Sequence, residues 1–399
     1  MSTASKPTEP LASADTDPRS SARRTDRRNA QSGYVPALDG IRGVAIVWVI
    51  FHNVTDMPFA PTHGVLRLLN VFAHSGWIGV QLFFALSGFL ITAGLLATQS
   101  APHYFRAFYA KRALRILPLY YGVLFVLLVL APRLAGEHWP FNASGQASLW
   151  LFTVNWTHTA PYGFAHFWSL AVEEQFYLVW PLLVWRLPPR RLLSVCLWIC
   201  LGALLLRGAM VLGGVDSWTI YSATTSRMDA LALGAAGACA LRISSLRGWI
   251  ELRANALAPA ALLLFVAGFP LTRFYSRYDW SGETLGYTLL AVVAAGLVIA
   301  GTQRTTVARA LAWAPLRSIG KYSYAMYVFQ GLLHKLIGES WLDAHFGTAP
   351  PVAIGLIYGV ALLTVTYALA ALSYHAFEKH FLRLKRRFDS RPPTAEAAP

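Results

Sequence analysis

Apolar stretches of bilayer-crossing length recur along this chain, and few folds are compatible with them. A helical span needs about 20 predominantly apolar residues. Such stretches, some completed by uncharged flanks, lie at 41–57, 77–98, 114–130, 167–187, 192–212, 228–241, 256–271, 284–301, 318–337 and 352–377. Of 399 residues, 55% are hydrophobic and 13% charged, and the mean hydropathy is +0.44. One water-soluble core cannot hide that much apolar surface. The expected fold is an all-α integral membrane protein: a bundle of about ten transmembrane helices plus one short re-entrant or interfacial helix. That helix is the run 147–156, which is too short to cross.

The formal net charge of +15 does not indicate nucleic acid, because the basic residues form short clusters between apolar runs rather than one stripe. Arg106, Lys111, Arg112 and Arg115 form one cluster and Arg186, Arg190 and Arg191 another, on alternate loops. This bias places both termini in the cytoplasm. Residues 1–33, rich in Ser, Ala, Thr, Pro and Arg, are expected to be a disordered basic tail. Residues 34–385 form the transmembrane domain and 386–399 a second tail, with no further soluble domain expected at either end. Cys196, Cys200 and Cys239 sit in apolar runs without metal-ligand spacing, so they read as packing residues and no metal site is expected.

Ionisable groups inside apolar helices are costly and mark a site or an internal pairing. Asp39 and Arg42 open the first helix, and His52 lies ten residues beyond Arg42, about 15 Å along the axis. Asp39 suits a helix cap as well as a site, whereas His52 has the side chain best fitted to take a proton near neutral pH. Ser87 and Gly88 permit close approach of a second helix or a ligand. Arg112 and Arg115, three apart, share a face that suits a phosphate-bearing ligand, and an ordinary basic cluster has the same appearance. Glu173 and Tyr177 share another face, with Glu174 about 100° away. At most one of the two acids is expected to face a cavity, Glu173 being the candidate. Arg227 and Asp229 are expected to pair within the bundle. Tyr322, Tyr324, Tyr327 and Gln330 lie on a late helix, where tyrosines also serve as an aromatic belt.

The ordered set LDGIRGVAI with His52, GVQLFFALSGFLIT, RALRILPLYY, HFWSLAVEEQFYLVWPLL, SRMDALALGA, YSYAMYV and FEKHFLRLK covers about 36–385. Together these segments resemble the acyltransferase 3 family of membrane O-acyltransferases. The resemblance implies a ten-helix, multi-pass enzyme of the bacterial inner membrane. Its donor would be a cytoplasmic acyl-CoA, usually acetyl-CoA, acting as co-substrate rather than as a tightly bound cofactor. Its acceptor would be a hydroxyl, commonly on a sugar: cell-surface polysaccharide, glycolipid, peptidoglycan or a macrolide-like glycoside. It further implies catalytic roles for Arg42 and His52, donor binding by Arg112 and Arg115, and a site role for Glu173. On this reading His52 is the general base, Glu173 orients or charge-balances its imidazole, and Arg42 stabilises developing negative charge or binds the donor. Two positions depart from the family pattern. Nine residues rather than ten separate Arg42 from His52, which leaves His52 about 80° off and Asn53 in register; Gln330 stands where a histidine is usual. A proton-coupled transporter also accommodates buried Glu, His and Arg, but calls for two related halves, and no such symmetry is visible.

Overall fold

A computed structural model describes residues 34–55, 63–135, 143–157, 160, 163–273, 275–347 and 351–388. The expectations for residues 1–33, for the end of the first span at 56–57 and for 389–399 fall outside them. The helical bundle lies in the unit that begins at Ala37.

Among the described residues every regular element is helical. The main helices are Pro36–Thr55 (α1), Gly64–His74 (α2), Gly79–Ala97 (α3), Tyr104–Phe125 (α4), Trp168–Arg186 (α5), Pro189–Leu212 (α6), Thr224–Ala240 (α7), Ala254–Leu271 (α8), Tyr287–Thr302 (α9), Ala314–Leu333 (α10) and Val352–Ser373 (α11). Prolines fall in the first turns of α6 and α10, where the missing N–H has no intrahelical partner to lose.

Over its described residues each expected apolar segment is mainly helical, while the count of about ten spans is not confirmed. Among the described residues seven stretches are long and apolar enough to cross a membrane, or eight if Ser217–Ala240 and Ser244–Leu252, bent by 98°, act as one. The expectation of about ten is not confirmed, because α5, α7 and α10 do not reach that length and hydropathy. α5 has 19 residues but includes Glu173, Glu174 and Gln175; α10 has 20 but includes Arg317, Lys321 and Gln330; α7 has only 17. The shortfall thus lies where polar side chains enter the bundle.

The expected re-entrant or interfacial piece consists of two short helices, Ala143–Trp150 and Val154–Thr157, whose 8 and 4 residues cannot cross. Gln175 of α5 fastens it by donating to the Phe152 carbonyl (2.8 Å) and to Asn155 Oδ1 (2.9 Å).

α3 and α7 form the centre: 13 of 19 and 13 of 17 residues are buried, respectively. α6 and α8 are peripheral, with 22% and 17% of their apolar windows buried. A Cβ on Gly88 would lie 1.9 Å from the Leu231 carbonyl oxygen, and one on Gly234 2.0 Å from that of Ala85. The two backbones therefore touch, as small residues allow between membrane helices. Gly234→Val is expected to force α3 and α7 apart at a cost of about 3 kcal/mol, the upper end of ordinary overpacking, since the obstacle is backbone. The check is the thermal unfolding of detergent-purified protein, and an unchanged midpoint would refute the contact.

A fully buried ion pair crosses this centre. Arg207 of α6 donates to Asp229 of α7 at 2.8 Å, and both side chains are 0% exposed. Arg207 also reaches the Ser226 carbonyl and Thr288 Oγ1. Asp229 thus pairs within the bundle, but with Arg207 rather than Arg227, because residues two apart on a helix point about 160° away from one another. Cys196, Cys200 and Cys239 are buried packing residues, as expected.

Candidate active site

The helices α1, α3, α5 and α10 enclose two cavities, one near either end of the polar residues. The arginine cavity, about 100 Å³, is lined by Arg42, Arg112, Arg115, Glu173 and Glu174 among others. The histidine cavity, about 400 Å³, is lined by His52, Asn53, His166, Arg277, His334 and Lys335 together with Trp77, Trp168, Trp218 and Tyr221. Residues one to three turns apart on the same helices serve the two chambers. On α1, Arg42 faces one and His52 the other; on α10, Tyr324 faces one and His334, just past its end, the other.

In the arginine cavity, Arg42 pairs with Asp39 one turn earlier (2.9 Å). The Arg112 guanidinium stacks over the Tyr177 ring at 3.8 Å, a cation–π contact worth about 2 kcal/mol when desolvated. Tyr177 donates to Glu173 Oε2 at 2.7 Å and is also hydrogen-bonded to Ser87, so α3, α4 and α5 meet in one linked set. Both glutamates line this cavity. The expectation that at most one would do so is corrected: the cavity wraps the corner of α5, with α3 on one side and α4 and α10 on the other. The Glu174 Oε1 and Arg112 Nε atoms are buried with no hydrogen-bond partner among the described residues. Lys385 lies within electrostatic reach of Arg115, Arg112 and Lys111, which extends the positive field at this end. At about 30 Å³ per water, the volume admits a few waters or a short acyl group, but no nucleotide.

In the histidine cavity, His52 is 4% exposed, and its ring lies edge-on to His74 at 5.7 Å between centroids. Asn53 donates to Gln330 Oε1 at 2.5 Å, so the two positions that depart from the family pattern bind one another. α1 contains no π-helical residue, so the ten-residue step from Arg42 to His52 retains its angular offset. Glu173 and His52 are in different chambers, which corrects the expectation that the carboxylate orients the imidazole.

Arg227 lies behind this cavity rather than in it. Its guanidinium is 4.3 Å from the Tyr287 ring centroid, 5.0 Å from Tyr221 and 5.6 Å from Trp168. Its three side-chain nitrogens make no hydrogen bond with described residues, so aromatic faces are its partners. Asp229 is likewise absent from both linings and holds Arg207.

Sequence reasoning named every charged residue that lines the arginine cavity. It missed most of the aromatic wall of the histidine cavity and its cations, Arg277 and Lys335. Arg277 did leave one signal, since it is an arginine in a loop that the charge bias leaves poor in basic residues.

A family model described as an acyltransferase domain matches residues 35–371. A Bacillus subtilis (strain 168) protein, YrhL, whose name gives a provisional peptidoglycan O-acetyltransferase assignment, is 29% identical over 373 residues, covering 87% of this chain and 54% of its own. Peptidoglycan O-acetyltransferase OatA of Listeria monocytogenes is 28% identical over 331 residues, covering 77% and 50%. O-acetyltransferase OatA of Staphylococcus aureus is 25% identical over 378 residues, covering 86% and 57%. The chain spans about half the length of these curated relatives. No solved structure matches the chain.

Proposed function

The chain belongs to the acyltransferase 3 family, and on that premise we propose that it is a membrane O-acyltransferase. It moves an acyl group, acetyl in the first instance, from acyl-CoA to a hydroxyl of a sugar-containing acceptor such as peptidoglycan. The observation that carries this reading is the pair of cavities on the same four helices, one rich in arginine and one in histidine and aromatic rings.

The arginine cavity faces the cytoplasm, as do both termini, and takes the acyl thioester end of the donor. Arg112 and Arg115 draw in the anionic donor, with Lys111 and Lys385 near the phosphates outside. Arg42 stands where negative charge develops on the thioester carbonyl oxygen. Glu173 holds Tyr177 and balances Arg112. The histidine cavity takes the acceptor, whose ring packs on Trp77, Trp168 or Tyr221. His52 accepts the hydroxyl proton as the oxygen attacks the carbonyl carbon; the C–S bond breaks, and the thiolate leaves as thiol after protonation. A transporter reading draws no support from the relatives.

Purified protein in vesicles, given radiolabelled acetyl-CoA and peptidoglycan fragments, is expected to place label in an alkali-labile ester. Absence of labelled ester with peptidoglycan fragments and with other sugar acceptors would reject the reading. In the same assay Arg115→Ala should raise the donor KM about tenfold or more, the loss expected for a hydrogen bond to a charged group. An unchanged donor KM would remove Arg115 from donor binding.

A further inference from the structure

Among the described residues, only Val80 of α3 and Tyr327 of α10 line both cavities. The two differ in kind, since a valine is only an apolar filler whereas Tyr327 is anchored from either side. Its hydroxyl shares a hydrogen bond with Ser169 Oγ at 2.6 Å and donates to the His166 carbonyl oxygen at 3.0 Å. Ser169 belongs to the arginine cavity and His166 to the histidine cavity. The ring is held in the same manner: Phe83, of the arginine cavity, meets it edge-on at 6.0 Å, and the His166 ring does so at 5.5 Å. Tyr327 is only 7% exposed, so it is a packed wall and not a side chain waving in open space.

We propose that Tyr327 is a positioning residue that partitions the donor thioester from the acceptor chamber and yields only when an acceptor is seated. The inference rests on the acyltransferase reading. If a thioester and a hydroxyl occupy the two chambers, they meet across Tyr327 and Val80, and water in the larger chamber competes for the same carbonyl carbon. In that side reaction the water oxygen adds to the carbonyl, the C–S bond breaks, and the sulfur leaves as thiol with one water proton, giving the free carboxylic acid. Two hydrogen bonds and two ring contacts keep the partition shut against it. An acceptor that packs against the His166 side offers Tyr327 replacement contacts, so opening is favoured by the correct substrate rather than by solvent.

The test uses the full chain in vesicles with radiolabelled acetyl-CoA, and follows thiol release without acceptor beside ester formation with acceptor. Tyr327→Phe removes only the hydroxyl, and Ser169→Ala removes one of its two partners. Tyr327→Phe is expected to raise thiol release per ester formed roughly tenfold, the shift produced when two neutral hydrogen bonds leave one side of a two-state equilibrium. Ser169→Ala should shift it in the same direction by less, and the donor KM should hold in Tyr327→Phe. If thiol release per ester stays at the wild-type value in both variants, whether or not the overall rate falls, the inference is overturned. A wild-type chain that forms no ester overturns the functional reading instead.

Discussion

His52→Ala is expected to lower acyl transfer by about 10²–10⁴-fold, the contribution of a positioned general base. The donor KM should stay near the wild-type value, because His52 lines the histidine cavity and the donor-binding arginines line the other. That split is the informative part. A change confined to kcat means that the imidazole acts in the transition state, whereas a parallel rise in donor KM would mean that α1 had been displaced as a whole. Asn53→Ala provides the control: its amide holds Gln330 on α10 at 2.5 Å, so its loss should loosen the cavity without removing a proton acceptor. Equal losses in the two variants would refute the assignment of the base to His52.

Arg207→Met is expected to destabilise the bundle by about 3–5 kcal/mol, the cost of leaving one member of a buried ion pair without its partner. Among the described residues the Asp229 carboxylate would then keep hydrogen bonds only from Thr288 Oγ1 at 3.2 Å and the Ala230 N–H at 2.9 Å, with no hydrogen-bonded cation. The double replacement Arg207→Met with Asp229→Leu removes both charges together, and should recover much of the loss. Thermal unfolding of the purified protein measures both steps. A single variant as stable as the wild type would show that the pair contributes nothing to holding α6 against α7.

The position of most helices was legible before any coordinates, because hydropathy and the 3.6-residue period are local properties of the chain. The same signals left the number of spans open. α5, α7 and α10 carry the polar side chains that line or support the cavities, or are short, and so fail the test of length and hydropathy. Most of the candidate residues were legible too, since a charge within an apolar helix stands out. Their grouping was not legible. Glu173 and Glu174 share one cavity because that cavity turns the corner of α5, and nothing in the α5 sequence states which helices flank it.

By itself the sequence determined an all-helical membrane protein and supplied His52, Arg112, Arg115 and Glu173 as candidates from residue type and spacing within one helix, with Arg42 added by the family resemblance. Only the tertiary structure decided that His52 and Glu173 occupy different chambers, that Asp229 takes Arg207 rather than Arg227, and that Tyr327 stands between the two cavities. These outcomes depend on how each helix is rotated against its neighbours. That rotation is fixed by contacts between distant parts of the chain, such as the backbone touch of Gly88 and Gly234 and the bond from Asn53 to Gln330. No local period encodes it.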